Sequence, residues 1–503
     1  MNNQYFVVKS NPDNKKLLLS SIDWHKLATE YNQLSHQRKV KEKARSYQAF
    51  PPNIPRIPST IQLRDYQRQA IINWFRNQGR GILKMATGSG KTITALGIAT
   101  ELYQKIGLQV LIVICPYRHL VLQWQRECEK FNLQPILAFE SVRNWQSELS
   151  TQLYNLNSNQ QKFITIITTN STFISEGFQS QIKFFPEKTL LIGDEAHHLG
   201  SERLQASLPR SIGLRLALSA TPQRHFDEDG TDALINYFGK VLLPELTLGD
   251  AIAKGALVPY KYHPVLVNLT SSEISSYKRL TKRIGWALGE NDNFQNNELL
   301  TSLLMQRSRL IGSAANKLIA LKELMAKRLH TSHTLFYCGD SAVNNSYANL
   351  SLRQLEAVAR ILGAELGYRI NTYTSENSLD ERESMRSQFE TGEIQGLVAI
   401  RCLDEGIDIP AIKTAVILAS TGNPRQFIQR RGRILRPYPG KEKATLFDMI
   451  VVPPELDRDA LEVEKKLVSK ELKRFREFAN LAINREEASS ILGLLEEKYG
   501  LVY

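Results

Sequence analysis

Short apolar runs rich in β-branched residues recur along this chain, each followed by an amphipathic stretch of helical length. That rhythm restricts the possible folds more than any other feature. Gly81–Met85, Val110–Cys115, Phe163–Thr169 and Thr189–Asp194 hold the first four runs. Runs apolar at nearly every position suit strands buried on both faces, the situation of a parallel sheet covered by helices. Between them lie TITALGIATELYQKI and HLVLQWQRECEKF, which have helical patterns. Such alternation predicts a doubly wound α/β layer. The rhythm breaks after Pro244, gives way to a mostly helical stretch over 271–330, and resumes at 334–340, 368–374, 396–402 and 414–420. Residues 455–500 read as a charged helical tail with apolar positions at Leu467, Leu472, Phe475, Phe478, Ala479 and Ala482. The expected layout is a basic N-terminal extension with a proline-rich linker (1–60), a first α/β lobe (61–245), a connector and helical insert (246–330), a second α/β lobe (331–450) and a helical tail (451–503).

Composition narrows the classes further. Charged residues make up 23% and hydrophobic residues 42% of the 503, the balance of an ordinary folded protein rather than a disordered or fibrous one. No apolar run approaches the ~20 residues that span a bilayer. The N-terminus lacks a basic segment followed by a long apolar one, so no secretory signal and a cytoplasmic location are expected. Cys115, Cys128, Cys338 and Cys402 are scattered without a CxxC pair, which argues against a zinc knuckle or a disulfide framework. A net charge of +13 suggests polyanionic partners. Residues 1–60 carry ten basic and four acidic side chains, whereas 451–503 carry nine and eleven. The N-terminal extension is therefore the better candidate for touching phosphates. Within it, Gln37–Arg45 is a basic helical run whose alternative is a solvated face, and Pro51, Pro52, Pro55 and Pro58 enforce an extended linker.

Three strings carry chemistry. Ala86-Thr87-Gly88-Ser89-Gly90-Lys91-Thr92 stands directly between a strand and a helix. Glycines let backbone N–H groups turn onto phosphate oxygens, and the helix N-terminus adds positive potential there. Lys91 is then placed for the β/γ-phosphates and the Thr92 hydroxyl for a magnesium ion. The stricter pattern with a leading glycine has Met85 in that place. The second string, TLLIGDEAHHLG, ends a buried strand in Asp194 and Glu195, suited respectively to the same magnesium ion and to orienting and deprotonating water. The third, QRRGRILR, sets Arg433 and Arg436 three residues apart on one helical face, as an arginine finger would require; a solvated basic helix is the competing reading.

In their order along the chain these pieces resemble helicase superfamily 2. ATGSGKT is similar to motif I, CPYRHLVLQW to Ia, TTNS stands in the place of Ib/Ic, DEAH matches motif II, LSATP matches III, LFYCGD stands where IV belongs, IRCLDEGIDIP resembles V and QRRGRILR matches VI. LRDYQRQA resembles the adenine-reading segment through Arg64, Tyr66 and Gln67. The resemblance covers about residues 63–448 and implies two RecA-like parallel-sheet lobes with ATP and Mg²⁺ between them. It also implies γ-phosphate or water contact by Gln429, nucleotide and strand contact by Gly406 and Asp408, and strand contact by Pro116, Thr169 and Thr374. His197, Ser219 and Thr221 would couple hydrolysis to movement. SATPQR with Tyr237–Gly239 and Ala251–Tyr260 looks most like the XPB/RadD group and the motor subunits of type I and III restriction enzymes. That subgroup implies a DNA helicase tracking 3′ to 5′ on one strand, in repair or anti-phage restriction. A duplex translocase without strand separation and an RNA helicase are the alternatives.

Other features receive plainer readings. Trp74, Trp124 and Trp286 are base-stacking candidates for which core packing is favoured, and Glu464–Lys466 only echoes a nuclease motif. Any cutting or modifying activity would belong to a partner protein. A strand-separating wedge has only the 271–330 insert and the 455–500 tail as candidates. A nucleotide-binding scaffold that recruits partners through the tail is the remaining non-motor reading.

Overall fold

The computed structural model describes residues 19–41, 52–223, 227–289, 298–339, 342–345, 350–374, 376–400, 409–419, 431–456 and 458–500. The chain forms two compact units, Met1–Met85 with Gly90–Leu246 and Ala86–Ser89 with Thr247–Tyr503. In the first, seven strands make one parallel sheet: β1 (Arg80–Met85), β2 (Val110–Cys115), β3 (Ile136–Ala138), β4 (Ile164–Thr169), β5 (Thr189–Gly193), β6 (Leu214–Ser219) and β7 (Val241–Leu246). Their order is β3-β4-β2-β5-β6-β1-β7. Every residue of β2, β4, β5 and β6 is buried, as strands covered on both faces require. The edge strand β7 alternates, and it accommodates Pro244 because an edge need not donate every N–H.

The helix Asp65–Arg76 buries Ala70, Ile71, Trp74 and Phe75. Against it packs Trp24–Lys41, with Trp24 on Trp74 and Tyr31 on Phe75 edge-to-face at 6.3 and 6.1 Å. Lys105 pairs with Glu30 at 2.7 Å. Part of the N-terminal extension is thus built into the first unit. The side chains of Gln37–Arg45 lie outside the described residues.

The second unit holds a six-stranded parallel sheet from β8 (Tyr260–Asn268), β9 (Thr334–Cys338), β12 (Ile370–Tyr373), β13 (Gly396–Ile400), β14 (Thr414–Ile417) and β15 (Ala444–Val452), ordered β12-β13-β9-β14-β15-β8. An antiparallel hairpin, β10 (Ala342–Asn345) with β11 (Leu350–Arg353), follows β9. Strand β8 lies in the stretch read as connector. Its Tyr-Lys-Tyr-His-Pro start lacks a continuous apolar run, and Pro264 is tolerated because β8 is an edge.

Helices Ser271–Gly289, Glu298–Gly312 and Asn316–Ala326 form the helical insert, and Arg458–Leu481 and Arg485–Lys498 the tail. Leu280, Ile284 and Ala287 meet Leu300 and Leu303, with Val463 and Leu467 of the tail packed against them. A buried polar cluster fastens insert to tail. Arg307 donates to Glu464 at 3.0 Å, to the Tyr277 hydroxyl at 2.7 Å and to Glu471 at 3.0 Å, and Tyr277 in turn donates to Glu464. Glu464 is fully buried, so the resemblance of Glu464–Lys466 to a nuclease motif reflects a structural carboxylate.

Removing the guanidinium would strand that carboxylate in an apolar interior. Arg307→Leu is expected to destabilise the second unit by ~3–5 kcal/mol, measured as a lowered denaturant midpoint. A loss below about 1 kcal/mol would mean the cluster is not what joins insert to tail.

Candidate nucleotide-binding site

Because all seven strands of the first sheet run the same way, their carboxyl ends lie along one edge, where ligands of open α/β sheets bind. The sequence-predicted residues fall on that edge. The 86–90 turn follows β1, Pro116 follows β2, Thr169 ends β4, Asp194 and Glu195 follow β5, and Ser219 ends β6. The order β5-β6-β1 sets the acidic pair, Ser219 and the turn side by side.

The turn hands the chain to the helix Lys91–Ile106 through Gly90 at φ 89° and ψ 32°. A Cβ at Gly90 would stand 2.6 Å from the Gln67 amide nitrogen, so a side chain there would strain the left-handed backbone and also push the Gln67 amide aside. Gln67 donates to the Gly90 carbonyl at 3.1 Å and accepts from the Arg64 backbone N–H at 2.8 Å; Arg64 also donates to the Tyr66 hydroxyl at 3.2 Å. The three residues read as adenine-reading thus abut the turn. Ser89 donates to the Ala86 carbonyl and Lys91 to that of Met85, at 2.7 and 3.0 Å. The buried Thr87 hydroxyl has no hydrogen-bond partner among the described residues. Thr92, part-buried, is the second residue of the helix. The turn therefore offers a left-handed backbone, a helix N-terminus, a buried lysine and an unmatched hydroxyl, a donor set suited to phosphate.

Across β6, Asp194 is gripped by two donors: the Trp124 indole N–H at 2.8 Å and the Glu195 backbone N–H at 2.9 Å. Burial, and then the Glu195 carboxylate, push the Asp194 carboxyl up to about 6, while Trp124 and Lys91 pull it down. Lys91 is thus near enough to act on Asp194 electrostatically. Glu195 holds a left-handed backbone, φ 44° and ψ 51°, which costs a non-glycine residue ~1–2 kcal/mol. Strain of that kind gathers at functional positions. His197 Nδ1 lies 3.6 Å from Glu195 and 3.5 Å from the Ser219 hydroxyl, and Ser219 accepts from the Thr221 backbone N–H at 3.1 Å. These four residues form a continuous polar chain from β5 to β6. Among the described residues no group of three His, Cys, Asp or Glu could hold a metal. A magnesium ion would instead take the Thr92 hydroxyl, one Asp194 oxygen and phosphate oxygens, which suits its preference for few protein ligands.

In the second unit Arg433 is buried in the helical turn of residues 431–434, whereas Arg436, part-buried, lies two residues beyond it, so the pair does not sit on one helical face as the spacing predicts. Arg431, which sequence reasoning passed over, braces that turn. Its guanidinium lies 3.8 Å from the Phe478 ring and donates to Glu477 at 2.6 Å, both on the tail. Lys441 donates to the carbonyls of Ile434 and Pro410, at 2.6 and 3.0 Å. Burial, then Lys413 and Arg436, lower its ammonium to about 7. Gln429, Gly406 and Asp408 lie outside the described residues.

The candidate strand contacts differ among themselves. Pro116 is part-buried at the sheet edge. Thr169 is 4% exposed and its hydroxyl caps the helix Asn170–Phe173, leaving it little freedom to meet a phosphate. Thr374 follows β12 and is bound to Asn377 through N–H and hydroxyl. Trp74 and Trp124 are in the core as favoured, but Trp286 is 71% exposed, which corrects the packing reading for that residue. Trp124 is more than packing, since it orients Asp194 from 70 residues away, a contact no local pattern announces.

Residues 60–224 match the family described as Type III restriction enzyme, res subunit, and residues 316–438 match the helicase conserved C-terminal domain. The DNA 3′-5′ translocase XPB2 of Sulfurisphaera tokodaii is 29% identical over 80% of this chain and 84% of its own length. The putative DNA 3′-5′ helicase Rad25 of Haloarcula marismortui is 25% identical over 75% of this chain, which spans only 51% of that protein. The helicase domain of Pyrococcus furiosus Hef has the same fold, with a TM-score of 0.50 at 17% identity over 82% of this chain and 98% of that one. Among the described residues no helix is long and apolar enough to cross a membrane.

Gly90→Ala is expected to weaken binding of a fluorescent ATP analogue at least tenfold, with strain of ~1–2 kcal/mol in unfolding. Unchanged nucleotide affinity would remove the 86–90 turn from the site.

Proposed function

This chain belongs to helicase superfamily 2, and from that premise we propose that it is an ATP-hydrolysing motor that moves 3′ to 5′ on DNA and separates its strands. The observation that carries this reading is the shared edge of the first sheet, where the 86–92 segment, the Asp194–Glu195 pair and the Ser219–Thr221 segment stand at three adjacent strands. The relatives named for DNA 3′-5′ translocation and helicase action support DNA and direction. The relative named a translocase also favours a second reading, movement along duplex DNA without strand separation.

In the proposed reaction the backbone of Ala86–Gly90 and the Lys91 ammonium bind the phosphates, while Arg64, Tyr66 and Gln67 receive the base. Mg²⁺, when bound, neutralises charge on the β/γ-phosphates. Thr92 and Asp194 would hold it, and Trp124 keeps one Asp194 oxygen fixed so that the carboxylate presents its other face. Glu195 orients a water for in-line attack and accepts its proton. Arg433 and Arg436 stabilise charge as the γ-phosphoryl leaves, with Gln429 on the γ-phosphate or the water and Gly406 and Asp408 facing nucleotide and strand. His197 passes the state of Glu195 to Ser219 and Thr221, and so to the strand. Pro116, Thr169 and Thr374 would supply sequence-tolerant strand contacts. The buried Thr169 hydroxyl leaves its backbone as the group for that contact. The motor acts in the cytoplasm, and nuclease or modification activity belongs to a partner protein.

Lys91→Ala is expected to abolish ATP turnover while leaving the unfolding transition in place. Wild-type hydrolysis is measured against single-stranded, duplex and forked DNA and RNA. Stimulation by single-stranded and forked DNA with unwinding of the fork is expected. Stimulation by duplex without unwinding would favour the second reading, and stimulation by RNA alone would overturn the assignment to DNA.

A further inference from the structure

The helix Ser271–Gly289 divides cleanly into two faces. Tyr277, Leu280, Thr281, Ile284 and Ala287 are buried against the neighbouring helices of the second unit. Arg279, Lys282, Arg283 and Trp286 are exposed. Arg279, Lys282 and Trp286 follow the three- and four-residue spacing of one helical stripe, with Arg283 beside it, over about 10 Å of helix. Trp286 is 71% exposed, whereas Trp74, Trp124 and Trp145 are at most 1% exposed and Trp24 packs edge-to-face on Trp74. An indole left in water forgoes most of the gain from burying so large an apolar surface.

The surroundings of the indole decide what it fits. A protein partner would call for an apolar patch, but on this helix the exposed side chains that share the face of Trp286 are cations, and the helix has a single acid, Glu273. Glu273 is occupied with the backbone N–H groups of Thr270 and Ala315. A flat π surface beside several fixed cations matches a polyanion that carries exposed ring faces. Single-stranded nucleic acid has both, whereas a duplex hides its base faces in the stack.

We propose that the outward stripe Arg279, Lys282, Arg283 and Trp286 is a binding site for single-stranded nucleic acid, with a base stacked on Trp286 and adjacent phosphates on the cations. This rests on the motor reading for its biological sense, though not for its geometry. It adds a strand contact apart from Pro116, Thr169 and Thr374, and gives the helical insert a grip on the unpaired strand.

The test uses intrinsic fluorescence of the full-length protein. Oligo(dT) is expected to quench the emission of the exposed indole and shield it from iodide, and Trp286→Phe should remove that response while the thermal midpoint stays within a degree or so. Trp286→Ala is expected to weaken oligo(dT) affinity about tenfold, and Arg279→Ala with Arg283→Ala to weaken it and flatten its salt dependence. A blunt duplex should leave the signal unchanged. Stimulation of ATP hydrolysis by oligo(dT) with no change at Trp286, or equal quenching by duplex, overturns the stripe and leaves the motor standing. Quenching at Trp286 without stimulation by any nucleic acid upholds the stripe and sinks the motor.

Discussion

Seven parallel strands force seven carboxyl ends onto one edge of the first sheet, and the residues of the proposed reaction in that unit are gathered there. Residues as distant in sequence as Lys91, Asp194 and Ser219 become neighbours because β1, β6 and β5 are adjacent in the sheet. Nothing local could hold a lysine, two carboxylates and a hydroxyl together. The sheet does so with strands whose interiors are mostly apolar, with Arg215 of β6 the buried exception, leaving the site's polar groups to the carboxyl ends.

The edge is stiffened by hydrogen bonds among the protein's own groups. The Trp124 indole and the Glu195 amide together fix both oxygens of Asp194. A hydrogen bond to a charged group contributes ~1.5–3 kcal/mol, enough to select one carboxylate orientation. The Gln67 amide does similar work at Gly90. In the second unit the arginine segment is steadied by the tail through Arg431, Phe478 and Glu477, and by Lys441 at the carbonyls of Ile434 and Pro410. The C-terminal helices are therefore part of the framework that positions the proposed arginine finger.

Much of this was readable in the sequence where one local signal sufficed. β1, β2, β4 and β5 announced themselves because their apolar runs are nearly unbroken, and the 86–92 turn because glycine, lysine and threonine in that order between strand and helix have few other uses. β3 escaped because three residues carry no period, and β8 because its alternating tyrosines, histidine and proline resemble a loop. The contact between Trp124 and Asp194 and the brace on Arg431 depend on tertiary encounters with no local trace. Trp286 is a different case. The inward period of Tyr277, Leu280, Ile284 and Ala287 already turned it outward, and composition alone made core packing the favoured reading. The buried cap at Thr169 likewise shows that a motif position can serve its helix before any strand.

The proposal that Lys91 and the pair Arg433 and Arg436 grip one triphosphate is open to direct chemical capture. An ATP analogue with a photoreactive group on its γ-phosphate, irradiated on the full-length protein with Mg²⁺ and oligo(dT), should label two peptides, one containing Ala86–Thr92 and one containing Arg431–Arg436, and excess ATP should suppress both. Labelling confined to the first peptide, or directed to neither, would contradict the arginine pair as the finger that completes the site.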